Sequence, residues 1–158
     1  MPQFQLDTSG PVALKTAASP CGSASTRWED LDTFTQGYIE ALFFTSEGPE
    51  EGKLGDAAFA DLTPETLGVI IADCAKFQVD VIKPIGQAIG FASLESDDGE
   101  DYTPVRAGRD FWLTRNGHGV GFWDRGLPGG LGETLSDLAR GYGNVDAYLG
   151  DDGLVYLA

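Results

Sequence analysis

The stretch from Arg109 to Arg125, RDFWLTRNGHGVGFWDR, constrains the fold more than any other part of the chain. Two short aromatic-rich runs flank Asn116-Gly117, a dipeptide that supplies the two positive-φ positions of a type I′ turn. The pattern therefore predicts a β-hairpin with three facing pairs: Leu113 with Val120, Phe111 with Phe122, and Arg109 with Asp124. A register shifted by one residue would place an aromatic ring opposite a carboxylate, so the sequence favours the first register.

The other face of this predicted hairpin carries Trp112, Thr114, Gly119, Gly121 and Trp123. A sheet face with two indoles and two glycines is either covered by another element or forms a binding surface. Together with Arg109, Arg115 and Arg125, these rings could stack single-stranded nucleic acid, as aromatic sheet faces do. One hypothesis is therefore a nucleic-acid or nucleotide binder that uses Trp112, Arg115, His118 and Trp123.

Apolar residues at three- and four-residue spacing predict two helices before the hairpin. The first runs from about Leu31 and stops by Ser46, with Gly37 inside it, where a second element can approach closely. The second starts at Thr63-Pro64, since threonine can cap and proline fits the first helical position. Pro84 should kink or end it.

The C-terminal part predicts a short helix from Leu131 to Arg140 and then a second hairpin, residues 145–149 and 154–157, around the turn 150–153. The predicted fold class is α+β, with N-terminal helices packed on an antiparallel sheet from two C-terminal hairpins, in the order ββαββ. We expect residues 1–25 to form an irregular arm and residues 26–158 to form one domain.

Charge is the strongest signal in the composition: 25 acids against 10 bases give a net charge of −15. Residues 1–101 hold 18 acids and 5 bases, whereas residues 102–158 hold 7 acids and 5 bases. Such a field repels phosphate backbones and attracts proteins that bind nucleic acid. The alternative is that the acids only solvate the surface.

If carboxylates imitate phosphates, those of the first helix and of two predicted acidic loops, residues 46–62 and 93–104, are the candidates. They are Glu29, Asp32, Glu40, Glu47, Glu50, Glu51, Asp97, Asp98, Glu100 and Asp101. The loop near residues 93–104 does not match the twelve-residue calcium site, so we expect no metal and no cofactor.

A third hypothesis is an enzyme with His118, the only histidine, as general base. No hydrolase, nucleotide-binding or zinc motif supports it, so the sequence favours a non-enzymatic protein.

Neither a membrane span nor a signal peptide is expected, and Cys74 fits a buried position in the second helix.

Three segments, TRWEDLDTFTQGYIEALFFT, GRDFWLTRNGHGVGFWDR and VDAYLGDDGLVY, resemble a family of small acidic proteins encoded by bacteriophages and prophages. That family has no assigned function, so the resemblance transfers no catalytic residue. It implies a phage origin and the cytoplasm of a host cell. Together with the charge, it predicts an accessory protein that binds and inhibits a host nucleic-acid-handling or defence protein.

Overall fold

The computed structural model describes residues 25–48, 53–86, 91 and 94–158. The chain divides into two compact units, Met1–Asp30 and Leu31–Ala158. In the first unit the described part contains one turn of 3-10 helix, Trp28–Asp30, with an ion pair of 3.2 Å between Arg27 and Asp30. The expected N-terminal arm lies, apart from Ser25, outside the described residues and stays a prediction.

The second unit combines helices with a small antiparallel sheet, which confirms the α+β class. The helices are α1 (Thr33–Ser46), α2 (Pro64–Asp80), α3 (Ile82–Ile85), α4 (Pro104–Arg115) and α5 (Leu131–Arg140), and the strands are β1 (Ala147–Leu149) and β2 (Val155–Leu157). Within the described ranges, every helix is too short or too polar to cross a membrane.

Three helices begin at a capping side chain. Asp32 accepts a hydrogen bond from the Thr35 amide at the start of α1, and Thr63 does the same for Thr66 at the start of α2. Thr103 caps α4 in the same way. Such caps satisfy amide groups that have no partner inside the helix. The predicted first and second helices are confirmed, and the second ends before Pro84, which lies in the short α3.

The predicted hairpin at residues 109–125 is wrong, because residues 104–115 form α4. The Gly117 amide donates to the Thr114 carbonyl and the His118 amide to the Leu113 carbonyl, with φ of 72° at Gly117. This is a Schellman motif, which ends a helix with a left-handed residue. The positive φ predicted at Gly117 is confirmed, whereas the one predicted at Asn116 is wrong, since its φ is −101°. Gly117 stops a helix instead of joining two strands. Because this hairpin is absent from the described residues, the predicted order ββαββ and the three predicted cross-strand pairs are also wrong.

Helices α1 and α4 pack against each other through two glycines. A β-carbon at Gly37 would lie 2.1 Å from the Val105 carbonyl oxygen, and one at Gly108 would lie 1.9 Å from that of Phe34. Both distances are far inside van der Waals contact, so only glycine permits this approach. The sequence expectation of a close contact at Gly37 is confirmed.

Aromatic rings fill the core beneath this crossing. Phe77 of α2 stacks on Phe111 of α4 with ring centroids 4.1 Å apart, and Phe34 and Phe122 also lie against Phe77. All four rings are fully buried, as is Cys74. Aromatic burial of this kind supplies much of the apolar area that a fold of this size removes from water.

The C-terminal hairpin is confirmed. Tyr148 of β1 pairs with Tyr156 of β2, and their rings stack with centroids 5.6 Å apart. The Thr63 amide donates to the Val155 carbonyl, so β2 is tied to the start of α2. The expected helix of residues 131–140 is likewise present as α5.

Candidate functional site

The segment Glu95–Asp101, called the acidic loop from here on, is the most acidic part of the described chain and has a defined backbone conformation. Glu95 and Asp101 form an antiparallel bridge, and the Tyr102 amide donates to the Leu94 carbonyl over 2.8 Å. The Ser96 amide donates to the Glu100 carbonyl, and the Gly99 amide to the Ser96 carbonyl. These bonds close the segment into a tight turn, and its five acidic residues are exposed.

One carboxylate of the acidic loop serves the turn itself. Asp98 accepts hydrogen bonds from the Ser96 hydroxyl and from the Glu100 amide, and it forms an ion pair of 3.1 Å with Arg106. These interactions, the Ser96 hydroxyl first, lower the pKa of Asp98 to about 2. Asp98 is therefore ionised at neutral pH and holds the loop in shape.

The acidic loop is anchored to a buried ion pair. The Asp97 amide donates to the Arg125 carbonyl over 2.8 Å, and the Arg125 guanidinium forms two hydrogen bonds, 2.9 and 2.6 Å, with the buried Asp110. The Tyr102 hydroxyl also donates to Asp110, and burial raises the pKa of Tyr102 so that it keeps its proton. Two parallel hydrogen bonds in a bidentate guanidinium–carboxylate pair fix the orientation of the two groups as well as their distance. The loop is thus tied to the body of the second unit. Its four remaining carboxylates are exposed: Glu95, Asp97, Glu100 and Asp101.

The acids of the first helix have different surroundings. Burial acts to raise the pKa of Asp32, but hydrogen bonds from Thr35 and Gln78 outweigh it, and the net pKa is lowered. Glu40 forms an ion pair of 2.8 Å with Arg109, whereas Glu47 is exposed just after α1. Asp32 and Glu40 therefore have partners within the chain.

The remaining predicted carboxylates cannot be placed on the same surface. Glu29 belongs to the first unit, and Glu50 and Glu51 lie outside the described residues. Of the ten carboxylates proposed as a phosphate-like surface, the structure brings together those of the acidic loop.

The aromatic and basic residues of the alternative nucleic-acid site are mostly interior. Trp112 is buried, and its indole N–H donates to the Thr45 hydroxyl over 2.9 Å. Arg115 is buried too, with an ion pair of 2.9 Å to Asp73 and a hydrogen bond of 3.0 Å to the Tyr38 hydroxyl. Trp123 is half-buried under the Arg140 guanidinium. A base cannot stack on Trp112 in this arrangement, so the exposed platform that the alternative requires is not formed.

Most basic side chains of the described residues are paired with carboxylates of the same chain. Nine of the ten Lys and Arg residues lie in the described ranges, and seven of these form ion pairs with carboxylates: Arg27, Lys76, Arg106, Arg109, Arg115, Arg125 and Arg140. Binding to a phosphate backbone depends on lysines and arginines that are free to replace its counterions. The pairing disfavours direct binding of nucleic acid.

His118 lies between two surface cavities that share it and Thr45. One is a cleft of about 470 Å³ with both polar and apolar walls, which Lys53, Asn116 and Tyr148 help to line. The other is an apolar groove of about 570 Å³, lined by Glu40, Ala41, Phe44, Thr45, Arg109, Leu113, His118, Gly119 and Val120. No hydrogen bond between His118 and a carboxylate is found in the described part of the chain, so the geometry provides no general-base pair.

The apolar groove was missed by sequence reasoning, because its far wall exists only if residues 104–115 are helical. One signal was available. Phe43 and Phe44 are adjacent in α1, and adjacent residues of a helix point about 100° apart, so both cannot face the core. Phe44 is 73% exposed.

Two other kinds of chemistry find no support in the described ranges. They contain no group of three or more His, Cys, Asp or Glu side chains arranged to hold a metal ion. The Cys74 thiol is buried, and burial raises its pKa, so it lacks the thiolate character of a nucleophile.

A scan of protein-family models, a search of curated proteins and a search of solved structures each gave no match to this chain.

Proposed function

We propose that this chain is a non-enzymatic phage or prophage accessory protein that binds and inhibits a host nucleic-acid-handling or defence protein through its acidic surface. The single observation that carries the proposal is the acidic loop, where four exposed carboxylates lie on a hydrogen-bonded turn while most bases of the described residues are paired. A basic surface that normally contacts phosphates would meet fixed negative charges there.

The internal hydrogen bonds of the acidic loop support a binding role. Side chains and loops that become ordered on association reduce affinity, and a preformed surface avoids part of that cost. Asp98 and Ser96 supply the internal hydrogen bonds, and the Asp97 amide ties the loop to the body through Arg125. A sequence that only needed surface charge for solvation would not require this network.

The proposal is tested by affinity capture from a nuclease-treated bacterial lysate at low and at high salt. Three baits are compared: the wild type, a loop variant with Asp97→Asn, Glu100→Gln and Asp101→Asn, and a control variant. The control carries Asp56→Asn, Glu133→Gln and Asp151→Asn, three exposed acids of the second unit that lie outside the loop. Both variants change the net charge equally.

We expect the wild type and the control to retain the same nucleic-acid-binding or defence protein at low salt and to lose it at high salt, because exposed charges are screened. The loop variant should lose it at low salt as well. If the loop variant captures as much of that protein as the control does, the acidity serves solvation and the proposal is wrong.

A further inference from the structure

The apolar groove is a preformed cavity on the surface of the second unit. Ala41 and Phe44 of α1 form one wall, Leu113 of α4 forms the other, and Val120 closes one side. Its volume of about 570 Å³ lies within the range of ordinary ligand pockets. Phe44 and Val120 are 73% and 41% exposed, so the fold leaves apolar surface in water here.

The walls of the groove are held in place by hydrogen bonds that do not depend on a ligand. The Trp112 indole binds Thr45 and so fixes α4 against the end of α1. The His118 amide donates to the Leu113 carbonyl over 3.0 Å, which fixes the chain entering Gly119 and Val120. The groove is therefore a built feature of the α1–α4 pair, and it stays open to an incoming side chain.

A charged rim borders the groove. Two nitrogens of Arg109, Nε and Nη2, donate to the same oxygen of Glu40, Oε1, over 3.1 and 2.8 Å. The Glu40 side chain is 44% exposed, so its second oxygen can accept a hydrogen bond from a cation placed beside the groove. Arg109 is itself 49% exposed, so the rim is a neutral pair and the preference for a basic occupant comes from the net charge of the chain. The cavity fits a large apolar side chain next to a lysine or arginine, whose cation can reach the second oxygen of Glu40.

We propose that the groove binds a basic segment of the partner protein, with one large apolar side chain seated between Phe44 and Val120. This inference rests on the proposed function and names the chemistry of its partner. The net charge of −15 favours such an occupant over a second copy of the chain, because two copies repel each other whereas a basic segment is attracted. Apolar anchors in pockets supply most of the affinity of small interfaces, and charge adds selectivity and speed of association.

The test uses three synthetic peptides of equal length, each labelled with fluorescein, and measures Kd by anisotropy. The first combines lysines with one Phe and one Leu, the second replaces those two residues by Ser, and the third replaces every lysine by Glu. We expect the first to bind at least about tenfold more tightly than either of the others, a difference of about 1.4 kcal/mol. Phe44→Ser should remove the advantage over the Ser-substituted peptide, and the matched control Val79→Ser, which removes a 66% exposed apolar side chain outside the groove, should keep it.

The two comparisons separate the groove from the proposed function. Equal binding of the Ser-substituted peptide, with no effect of Phe44→Ser, would overturn the groove inference and leave the acidic-surface proposal standing. Equal binding of the Glu-substituted peptide would overturn the basic partner, and with it the proposed function.

Self-association is checked by sedimentation of the unliganded protein. A monomer is expected, whereas a dimer that Phe44→Ser dissociates would show that a second copy fills the groove and would overturn the inference. Circular dichroism verifies that each variant folds, and Val120→Ser provides a second groove variant should Phe44→Ser fail to fold.

Discussion

Gly37 of α1 and Val105 of α4 approach so closely that a β-carbon on Gly37 would lie 2.1 Å from the Val105 carbonyl oxygen. Because the neighbour is backbone, it cannot move aside without shifting a helix. Glycine costs about 1 kcal/mol in a helix interior relative to alanine, so its presence here indicates that the close packing outweighs that cost. The α1–α4 pair also carries the walls of the apolar groove, which makes this contact important for the proposed binding surface.

Gly37→Ala should therefore destabilise the protein by about 1–3 kcal/mol, the usual range for forced overpacking. Gly68 provides a matched control, since it lies inside α2 and a β-carbon there would meet no atom within 4 Å. Gly68→Ala should leave the stability unchanged or raise it by up to about 1 kcal/mol. Urea unfolding of both variants measures the difference. Equal stability of the two variants would contradict the close packing of α1 and α4.

Asp110 is the buried end of the ion pair that supports the acidic loop. Asp110→Asn leaves the Arg125 guanidinium without its charged partner, and breaking a buried pair from one side is strongly destabilising. Because the Arg125 side chain is 27% exposed and can be partly hydrated, we expect a loss of about 2–4 kcal/mol, at or below the usual range for such changes. Glu133→Gln, an exposed carboxylate on α5, should change stability by less than about 0.5 kcal/mol. Thermal or urea unfolding provides the comparison, and a mild effect of Asp110→Asn would show that the pair is not needed for the fold.

Gly117 ends α4 with φ of 72°. A β-branched residue strongly resists this conformation, so Gly117→Val should cost about 1–2 kcal/mol. Gly119, two residues on, has no positive φ and open space around a β-carbon, so Gly119→Ala should be close to neutral. Calorimetric unfolding distinguishes them. A larger loss for Gly119→Ala than for Gly117→Val would mean that the helix does not end at Gly117.

Asp98 predicts a pH dependence of stability. Its pKa is lowered from the ordinary value of 3.8 to about 2 in the folded chain, the Ser96 hydroxyl being the main cause. A lowered carboxyl pKa stabilises the fold above the ordinary pKa, and this contribution is lost as the pH falls through the folded value. The free energies of unfolding of the wild type and of Asp98→Asn should therefore differ at pH 6 and converge as the pH falls from about 4 to about 2. A difference that stays constant over this interval would argue against the hydrogen-bonded, ionised Asp98.

Much of the fold is readable from local sequence signals. Thr63-Pro64 starts α2 because a capping hydroxyl and a proline without an amide hydrogen both suit a helix start. The C-terminal hairpin follows from its glycine-bearing turn and alternating residues, and α5 from its apolar spacing. These elements carry their own boundaries in the sequence.

Helix α4 shows where local signals were insufficient. Asn116-Gly117 fits both a type I′ turn and a helix end, since each requires a left-handed residue. Thr103-Pro104 repeats the signature of Thr63-Pro64 and was the available indication of a helix start. A tertiary contact decides between the two structures, because Gly108 must lie against the Phe34 carbonyl. That contact cannot be predicted from the sequence of one segment alone.

The candidate site was also only partly predictable from the sequence. Composition alone located the acidic loop, because five of its seven residues are acids. It could not show that Asp98 accepts hydrogen bonds within the turn or that Glu40 forms an ion pair with Arg109. The apolar groove depends on the packing of α1 against α4, so the mistaken hairpin concealed it.

In the proposed function, the acidic loop occupies a surface on which the partner protein binds nucleic acid. The most direct measurement is the affinity of the purified partner for duplex DNA, followed by fluorescence anisotropy with increasing amounts of this protein. Competitive displacement of the DNA is predicted, and the loop variant with Asp97→Asn, Glu100→Gln and Asp101→Asn should displace it at least about tenfold less effectively, with a smaller dependence on salt. A partner that keeps its full affinity for DNA while bound to the protein would contradict the claim.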